Sequence, residues 1–262
     1  MNNKEKFAYW VRERRIIRAK KNAGYMKPWT DDKVFQSTYF CNVNREHDRV
    51  TTWMRRNFSG GHAEANYMLA RFVNKPESLF AMGWPWKEFN ASAWHTQMSQ
   101  KGAWGGAYIV STNGRAMPKH EYIAGLLERA WLHFEQHPLP STLVAAHHAL
   151  TGLQGLGSFM AAQILADLKN TTTHPLSKAK DWNSFSAPGP GSLRGLEWFH
   201  EYKVTPRNYQ EAIASAREWC NTVDAGLLVG VCNQNLQNCF CEYDKYQRVS
   251  TGTGRSKRKY NG

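Results

Sequence analysis

Residues 153–164 read LQGLGSFMAAQI, and this stretch carries the strongest prediction of the fold. Gly155 and Gly157 flank one apolar residue, so the backbone can turn tightly between two helices. We predict a short helix over residues 141–150 and an alanine-rich amphipathic helix after Gly157. The N–H groups that begin the second helix are then open to an anion, which makes Gly155, Gly157 and Ser158 candidate DNA-binding residues. An ordinary corner between two helices is the alternative interpretation.

This pattern resembles the helix-hairpin-helix element, which grips a DNA phosphate, and we assign it to residues 141–169. The charge distribution agrees with a DNA partner. Of the net charge of +13, residues 1–30 hold nine Lys or Arg against two Glu, and residues 245–262 hold six Lys or Arg and no acid. Basic segments suit a polyanion, although they also serve solubility alone. Residues 249–262 are predicted to form a basic, disordered tail.

Composition indicates a globular protein outside membranes. Hydrophobic residues make up 42% of the 262 residues, and eleven residues are Trp, enough for one large core or two lobes. The sequence has no apolar run of about 18 residues and no signal-peptide core at its N-terminus. We therefore expect a cytoplasmic protein, in the host cell cytoplasm if a phage encodes it, with no membrane partner.

Hydrophobic periodicity predicts a mostly α fold. The clearest helix covers residues 120–136, where apolar side chains recur with helical spacing. A basic first helix ends before Pro28. Other helices are expected over residues 45–56, 205–220, where Thr205-Pro206 is a good start signal, and 223–240. Residues 104–110 are predicted as a short strand, and residues 170–196 as a long loop.

The five cysteines raise the question of a metal site. They are Cys41, Cys220, Cys232, Cys239 and Cys241, an odd number that argues against a disulfide framework. The spacing of the last four matches neither the usual zinc patterns nor the usual iron–sulfur patterns. Buried free thiols are the favoured interpretation, and no metal ligand is assigned.

A glycine-rich segment follows the hairpin, with the sequence DWNSFSAPGPGSLRG over residues 181–195. Its Gly, Ser and Arg groups are typical of an anion cradle, because free backbone N–H groups, a hydroxyl and a guanidinium all bind phosphate oxygens. The candidates are Gly189, Gly191, Ser192 and Arg194. A plain Gly/Pro-rich connector is the alternative, and the nearby Asp181 favours the functional interpretation.

A second polar segment reads FCNVNREHDRVTTW over residues 40–53. If it is helical, Arg45 and Arg49 lie four residues apart and share a face that could clamp pyrophosphate. A solvated face with local salt bridges is the alternative. The flanking Phe40 and Trp53 indicate partial burial, and buried charges need partners or a task.

Four segments together resemble the alpha-glutamyl/putrescinyl thymine pyrophosphorylase family of phage base-hypermodification enzymes, also described as amino acid:DNA transferases. They are FCNVNREHDRVTTW, GLQGLGSFMAAQILADL, DWNSFSAPGPGSLRGLEW and CEYDKYQR. The resemblance implies a two-lobed fold similar to helix-hairpin-helix DNA glycosylases, with one catalytic domain over residues 1–248. It also implies a catalytic Asp soon after the hairpin, which points to Asp181 ahead of Asp167. Bifunctional glycosylases carry a Schiff-base Lys where this chain has Phe159, so a Lys-dependent lyase is not expected.

The resemblance also implies a reaction. An amine from an amino acid or polyamine would displace pyrophosphate from 5-pyrophosphoryloxymethyl-uracil in double-stranded DNA, after the base is flipped out. Candidate catalytic residues are Asp181, Asp48 and Glu46. Candidate pyrophosphate-binding residues are Asn42, Arg45, Arg49, Gly189, Gly191, Ser192 and Arg194. No cofactor is assigned, and a divalent metal ion that assists pyrophosphate release is left open.

Two other functions stay open. A DNA glycosylase acting on a modified base would use the same fold and the same Asp, with water attacking the sugar carbon. A DNA-binding module without catalysis would need only the hairpin. Formation of abasic sites separates the first alternative from the transferase, and the absence of any base change favours the second.

Overall fold

The computed structural model describes residues 1–108 and 111–254, which are mostly helical, as predicted. The chain forms two compact units. The first comprises residues 1–48 and residues from 183 onward, and the second comprises residues 49–182. No helix among the described residues combines the length and the apolar character needed to cross a bilayer.

In the part that the structure describes, the first unit is built from five α-helices: α1 (Asn3–Asn22), α2 (Lys33–Ser37), α10 (Pro190–His200), α11 (Tyr209–Val223) and α12 (Asn233–Ser250). Helices α10 and α12 pack very closely at Gly195. An added Cβ at this position would lie 2.0 Å from the carbonyl oxygen of Phe240. The Phe7 ring of α1 stacks on Phe240 at 4.3 Å, which joins α1 to the same core.

Outside residues 109–110, the second unit contains seven α-helices: α3 (Arg49–Asn57), α4 (Ala63–Val73), α5 (Pro76–Ala81), α6 (Ala91–Met98), α7 (Lys119–Gln136), α8 (Leu143–Thr151) and α9 (Ser158–Leu168). Helix α4 is central, since every residue from Ala65 to Val73 is buried. It is tied to α9 by a buried ion pair between Arg71 and Asp167, and Arg71 also donates a hydrogen bond to Thr51. The Asp167 carboxylate therefore has a structural role in this ion pair.

The predictions for α1, α7, α8 and α9 are confirmed to within a few residues. Several others are wrong. Helix α11 begins at Tyr209, because Asn208 accepts from the N–H of Thr205 and caps a turn there. The last helix starts at Asn233 and not near Val223, because residues 224–231 form turns that bury Leu227, Leu228 and Val231 in the core.

The remaining predictions concern segments between helices. Residues 104–108 form no strand, and residues 109–110 lie outside the described residues. The expected long loop over residues 170–196 is interrupted by a 3₁₀ helix, Pro175–Lys178, and ends at Pro190, where α10 begins. Residues 255–262, most of the predicted tail, also lie outside the described residues.

Candidate functional site

The polar segment 40–48 does not continue into one helix. A 3₁₀ helix, Arg45–His47, is followed by Asp48 in an extended conformation with ψ 147°, and α3 starts at Arg49. The shared face predicted for the two arginines is therefore wrong. Arg45 is 8% exposed, whereas the Arg49 side chain is 76% exposed and lies 3.4 Å from Glu77 within the second unit.

Asp48 is held by Asn42 in the first unit. The backbone N–H of Asn42 donates to Asp48 Oδ1 at 3.2 Å, and the Asn42 amide donates to the same oxygen at 2.9 Å. Arg14 of α1 donates to the Asn42 Oδ1 at 2.8 Å, so the amide orientation is set by its neighbours. Asn42 thus positions the carboxylate, a local role that the motif did not reveal.

Burial raises the pKa of Asp48, and the nearby Glu242 carboxylate adds to that rise. The Arg45 guanidinium and the two Asn42 hydrogen bonds oppose it, but the net direction is upward. A carboxylate with a raised pKa is a stronger base than a solvated one. Asp48 is therefore suited chemically to the general-base role predicted for it.

Helix α12 supplies the other side of this cluster. Glu242 is buried, and its Oε2 accepts from the Cys41 backbone N–H at 2.9 Å and from Lys245 Nζ at 2.7 Å. Lys245 also donates to the Tyr39 carbonyl at 3.0 Å. Burial, with the adjacent carboxylates, raises the pKa of the Cys41 thiol, which keeps it neutral and unsuited to nucleophilic attack.

These contacts define the Asp48 cluster, a group of polar side chains from α1, segment 40–48 and α12. Its members are Arg14, Cys41, Asn42, Arg45, Asp48, Glu242 and Lys245. Sequence reasoning identified Asn42, Arg45 and Asp48. It missed Arg14, Glu242 and Lys245, although the Glu242–Lys245 spacing of three residues is a helical ion-pair signal.

Glu46 has a different setting from Asp48. Its Oε2 accepts from the Asn235 amide at 2.8 Å, while Asn235 Oδ1 accepts the Arg45 backbone N–H at 3.2 Å. Asn44 donates to the other Glu46 oxygen at 3.3 Å. Glu46 therefore links the 3₁₀ helix to the start of α12, which is a structural task alongside its predicted catalytic one.

The glycine-rich segment is a packed helix start and not an open cradle. Gly189 is the N-cap of α10, and the buried Ser192 hydroxyl bonds to the Gly189 N–H at 3.1 Å and to its carbonyl at 3.0 Å. An added Cβ at Gly191 would lie 2.4 Å from Cys241 Sγ. The open-loop prediction is wrong here, because close packing of α10 on α12 requires these small residues. Arg194 is the exception, since its side chain is 48% exposed.

Asp181 lies in the second unit, where it caps α8. Its Oδ1 accepts the backbone N–H of Leu143 and its Oδ2 that of Val144, each at 2.9 Å. A carboxylate at a helix N-terminus is stabilised by the unpaired N–H groups and by the helix dipole. This contact gives Asp181 a structural role in the first helix of the hairpin, and its catalytic role stays a prediction.

The hairpin turn has the predicted glycine geometry. Gly155 adopts φ +85°, in the left-handed region that favours glycine. Gly157 is the N-cap of α9, carries no side-chain cap, and is exposed together with Ser158. The start of α9 thus lies at the surface, as an anion site requires.

The sequence predicted that the cysteines are buried thiols, and it assigned no metal ligand. Cys220, Cys232 and Cys239 are buried and Cys41 and Cys241 are half-buried, and none of the five forms a disulfide within the described part of the chain. Within residues 1–108 and 111–254, no three Cys, His, Asp or Glu side chains are arranged to hold a metal ion.

Comparison with known proteins gives two matches. The family described as 5-hmdU DNA kinase, helical domain, matches residues 2–256. A 5-hmdU DNA kinase of Bacillus phage SP10 is 24% identical over 220 residues, which cover 72% of this chain and 34% of that protein. The chain thus spans about a third of that relative's length. No solved structure matches. These findings support a phage thymine-modification family, which is the broader part of the resemblance. The helix-hairpin-helix and transferase assignments remain predictions.

Proposed function

We propose that this chain, which belongs to the family of the 5-hmdU DNA kinase helical domain, acts on a pyrophosphorylated hydroxymethyluracil in duplex DNA and replaces the pyrophosphate with an amine. The observation that carries the proposal is the half-buried Asp48 carboxylate, whose position is held by Asn42 and whose pKa is raised. The co-substrate is an amino acid or a polyamine.

In the proposed reaction, Asp48 accepts a proton from the incoming amine. The incoming ammonium gives one proton to the carboxylate and so becomes a nucleophile. Its lone pair forms the C–N bond at the 5-methylene carbon while the C–O bond breaks, and the electron pair leaves with pyrophosphate. A base with a raised pKa accepts that proton more readily near neutral pH. The Arg14 and Arg45 guanidinium groups of the cluster supply positive charge for a departing anion.

The phage SP10 relative is named as a kinase, so phosphoryl transfer is the competing function. The sequence contains no G-x-x-x-x-G-K-[ST] segment, the signature of a loop that cradles nucleotide phosphates. The resemblance of four segments to the amino acid:DNA transferases favours a step after phosphorylation of the base. The exposed position of Gly157 and Ser158 at the start of α9 supports the DNA-binding part of the proposal.

The test is mass spectrometry of nucleosides from pyrophosphorylated DNA incubated with the chain and a pool of amino acids and polyamines. We expect an amine-substituted thymidine and released pyrophosphate. Abasic sites without that product would instead identify a DNA glycosylase. Unaltered nucleosides with retained DNA binding would identify a binding module, and phosphorylation of hydroxymethyluracil with added ATP would identify a kinase.

The matched variants are Asp48→Asn and Asp31→Asn. Both remove one carboxylate in the first unit, but Asp31 is exposed, and no hydrogen bond to its side chain is found among the described residues. Product loss in the first variant alone supports the assignment of the base. Equal activity of the two variants contradicts it.

A further inference from the structure

Two arginines of the first unit share one buried carboxylate. Asp244 of α12 has a side chain that is 1% exposed. Its Oδ2 accepts from Arg194 Nε at 3.1 Å, from Arg194 Nη2 at 2.9 Å and from Arg248 Nε at 3.1 Å. Arg194 reaches it from α10, and Arg248 lies one turn further along α12. We refer to Arg194 and Arg248 as the arginine pair.

The arginine pair keeps unused donors. A guanidinium has five N–H groups. Among the described residues, Arg194 Nη1 and both Nη atoms of Arg248 donate no hydrogen bond. The two side chains are 48% and 35% exposed, so these donors are reachable from solvent. Their carboxylate partner is buried and their free N–H groups are not.

The local charge favours an anion. Two guanidinium groups against one carboxylate leave one positive charge. The acidic residue of α10, Glu197, is already bonded to Lys203 Nζ at 2.8 Å. Because Asp244 fixes each guanidinium through its Nε, the Nη groups are oriented before a ligand arrives, which reduces the entropy lost on binding. Paired, pre-oriented guanidinium groups match the oxygens of a phosphate group.

We infer that Arg194 and Arg248, oriented by Asp244, form a binding site for a phosphate group. Asp244 acts as a positioning residue and does not touch the ligand. The phosphate belongs either to the DNA backbone or to the pyrophosphate of the activated base. The inference rests on the proposed function only in taking DNA as the partner, and it does not require amine transfer.

The experiment measures binding without catalysis. Fluorescence anisotropy with an unmodified duplex at several salt concentrations reports a backbone contact, and calorimetry with inorganic pyrophosphate reports a leaving-group contact. We expect Arg194→Gln and Arg248→Gln each to weaken binding about tenfold, the effect of one lost charged hydrogen bond. The weakened probe is the duplex if the site binds the DNA backbone, and pyrophosphate if it binds the leaving group. For the duplex, the slope of log affinity against log salt should also fall by about 1.

The control is the ion pair between Arg12 and Asp224, which has the same geometry, with Arg12 Nε and Nη2 at 3.1 and 2.9 Å from one oxygen. Arg12 is 49% exposed, but its Asp is 35% exposed and is bonded to this one arginine side chain among the described residues. Arg12→Gln removes the same charge from the same unit. An equal loss with Arg12→Gln would reduce the effect to net charge and overturn the inference.

Asp244→Asn gives a test of opposite sign. Loss of a negative charge should strengthen binding of any anion if charge alone matters. If Asp244 positions the arginine pair, the variant binds more weakly, while Asp224→Asn does not. Unchanged or tighter binding by a folded Asp244→Asn overturns the inference. Should that variant unfold, Arg194→Lys and Arg12→Lys replace it, because Lys keeps the charge but cannot reproduce bidentate contacts.

Discussion

The carboxylate of Asp181 accepts the backbone N–H of Leu143 at 2.9 Å and thereby caps the first helix of the hairpin. This contact predicts the effect of Asp181→Asn. The Asn side chain keeps one acceptor oxygen but loses the second cap bond and the negative charge. We expect a loss of about 1 kcal/mol in the free energy of unfolding, measured by urea denaturation, with product formation retained. A folded variant that forms no product would support the catalytic role predicted from the sequence.

The raised pKa of Asp48 predicts the pH dependence of activity. As general base it must be ionised, so kcat/KM should rise with pH through its pKa. Burial moves that acid limb above the ordinary aspartate value of about 3.9. Mass-spectrometric initial rates across pH would locate it. Asp48→Asn should lose about 10²–10⁴-fold in rate and lack the limb. An unchanged profile in that variant would assign the base elsewhere.

The same shift predicts the pH dependence of stability. Because the folded pKa of Asp48 is raised, the folded state retains this proton to higher pH than the unfolded chain. The resulting stabilisation is complete below the unfolded pKa and disappears as pH rises through the folded pKa. Asp48→Asn should therefore lose less stability than the wild type over that interval. Thermal unfolding at a series of pH values measures this, and Asp31→Asn should follow the wild type.

The sequence predicted helices where one local signal is sufficient. The apolar repeat of residues 120–136 and the glycines at 155 and 157 gave α7, α8 and α9. The start of α12 was predicted too early in the sequence. The helix buries polar side chains, among them Gln234 and Asp244, which hydropathy does not mark as core. A helix was predicted over the apolar residues 227–231, but these residues form turns.

The site was predicted only in part, for a related reason. Segment 40–48 is recognisable locally, but its partners lie far away in the sequence. Cys41 meets Glu242, which is 201 residues distant, and Asn42 meets Arg14, which is 28 residues distant. Spacing within a motif carries no information about such contacts. The interruption at Asp48 also escaped prediction, and it separates two arginines that helical spacing would place together.

The separation of those arginines predicts different effects for them. Arg49 is exposed and lies 3.4 Å from Glu77, a surface ion pair worth at most about 1 kcal/mol. We expect Arg49→Lys to retain product formation within about twofold. Arg45→Lys replaces a buried guanidinium and should lower stability by about 1–3 kcal/mol. A large activity loss in a stable Arg49→Lys would support the pyrophosphate contact predicted for Arg49.

The two hairpin glycines should also behave differently. At Gly155 an added Cβ would lie 2.4 Å from Leu126 Cδ1, and φ is +85°, so Gly155→Ala should destabilise by about 1 kcal/mol or more. Gly157 has open space around it. Gly157→Val should therefore leave the unfolding temperature nearly unchanged while its side chain obstructs the α9 N–H groups and weakens DNA binding. Gly61→Val, also in open space, is the control. Equal DNA affinity of both Val variants would make the hairpin an ordinary corner.

Gly195 should be the most sensitive glycine of the first unit. Its added Cβ would meet the Phe240 carbonyl oxygen at 2.0 Å and the carbonyl carbon at 2.6 Å, and backbone atoms cannot move aside as a side-chain tip can. Gly195→Ala must therefore push α10 away from α12, with an expected cost of about 1–3 kcal/mol. The same shift moves Arg194 relative to Asp244, so anion binding should fall along with stability. Gly189→Ala, whose nearest contact is 3.9 Å away, is the matched control on the same helix. Wild-type stability of Gly195→Ala in urea denaturation would mean that the two helices are not packed as closely as described.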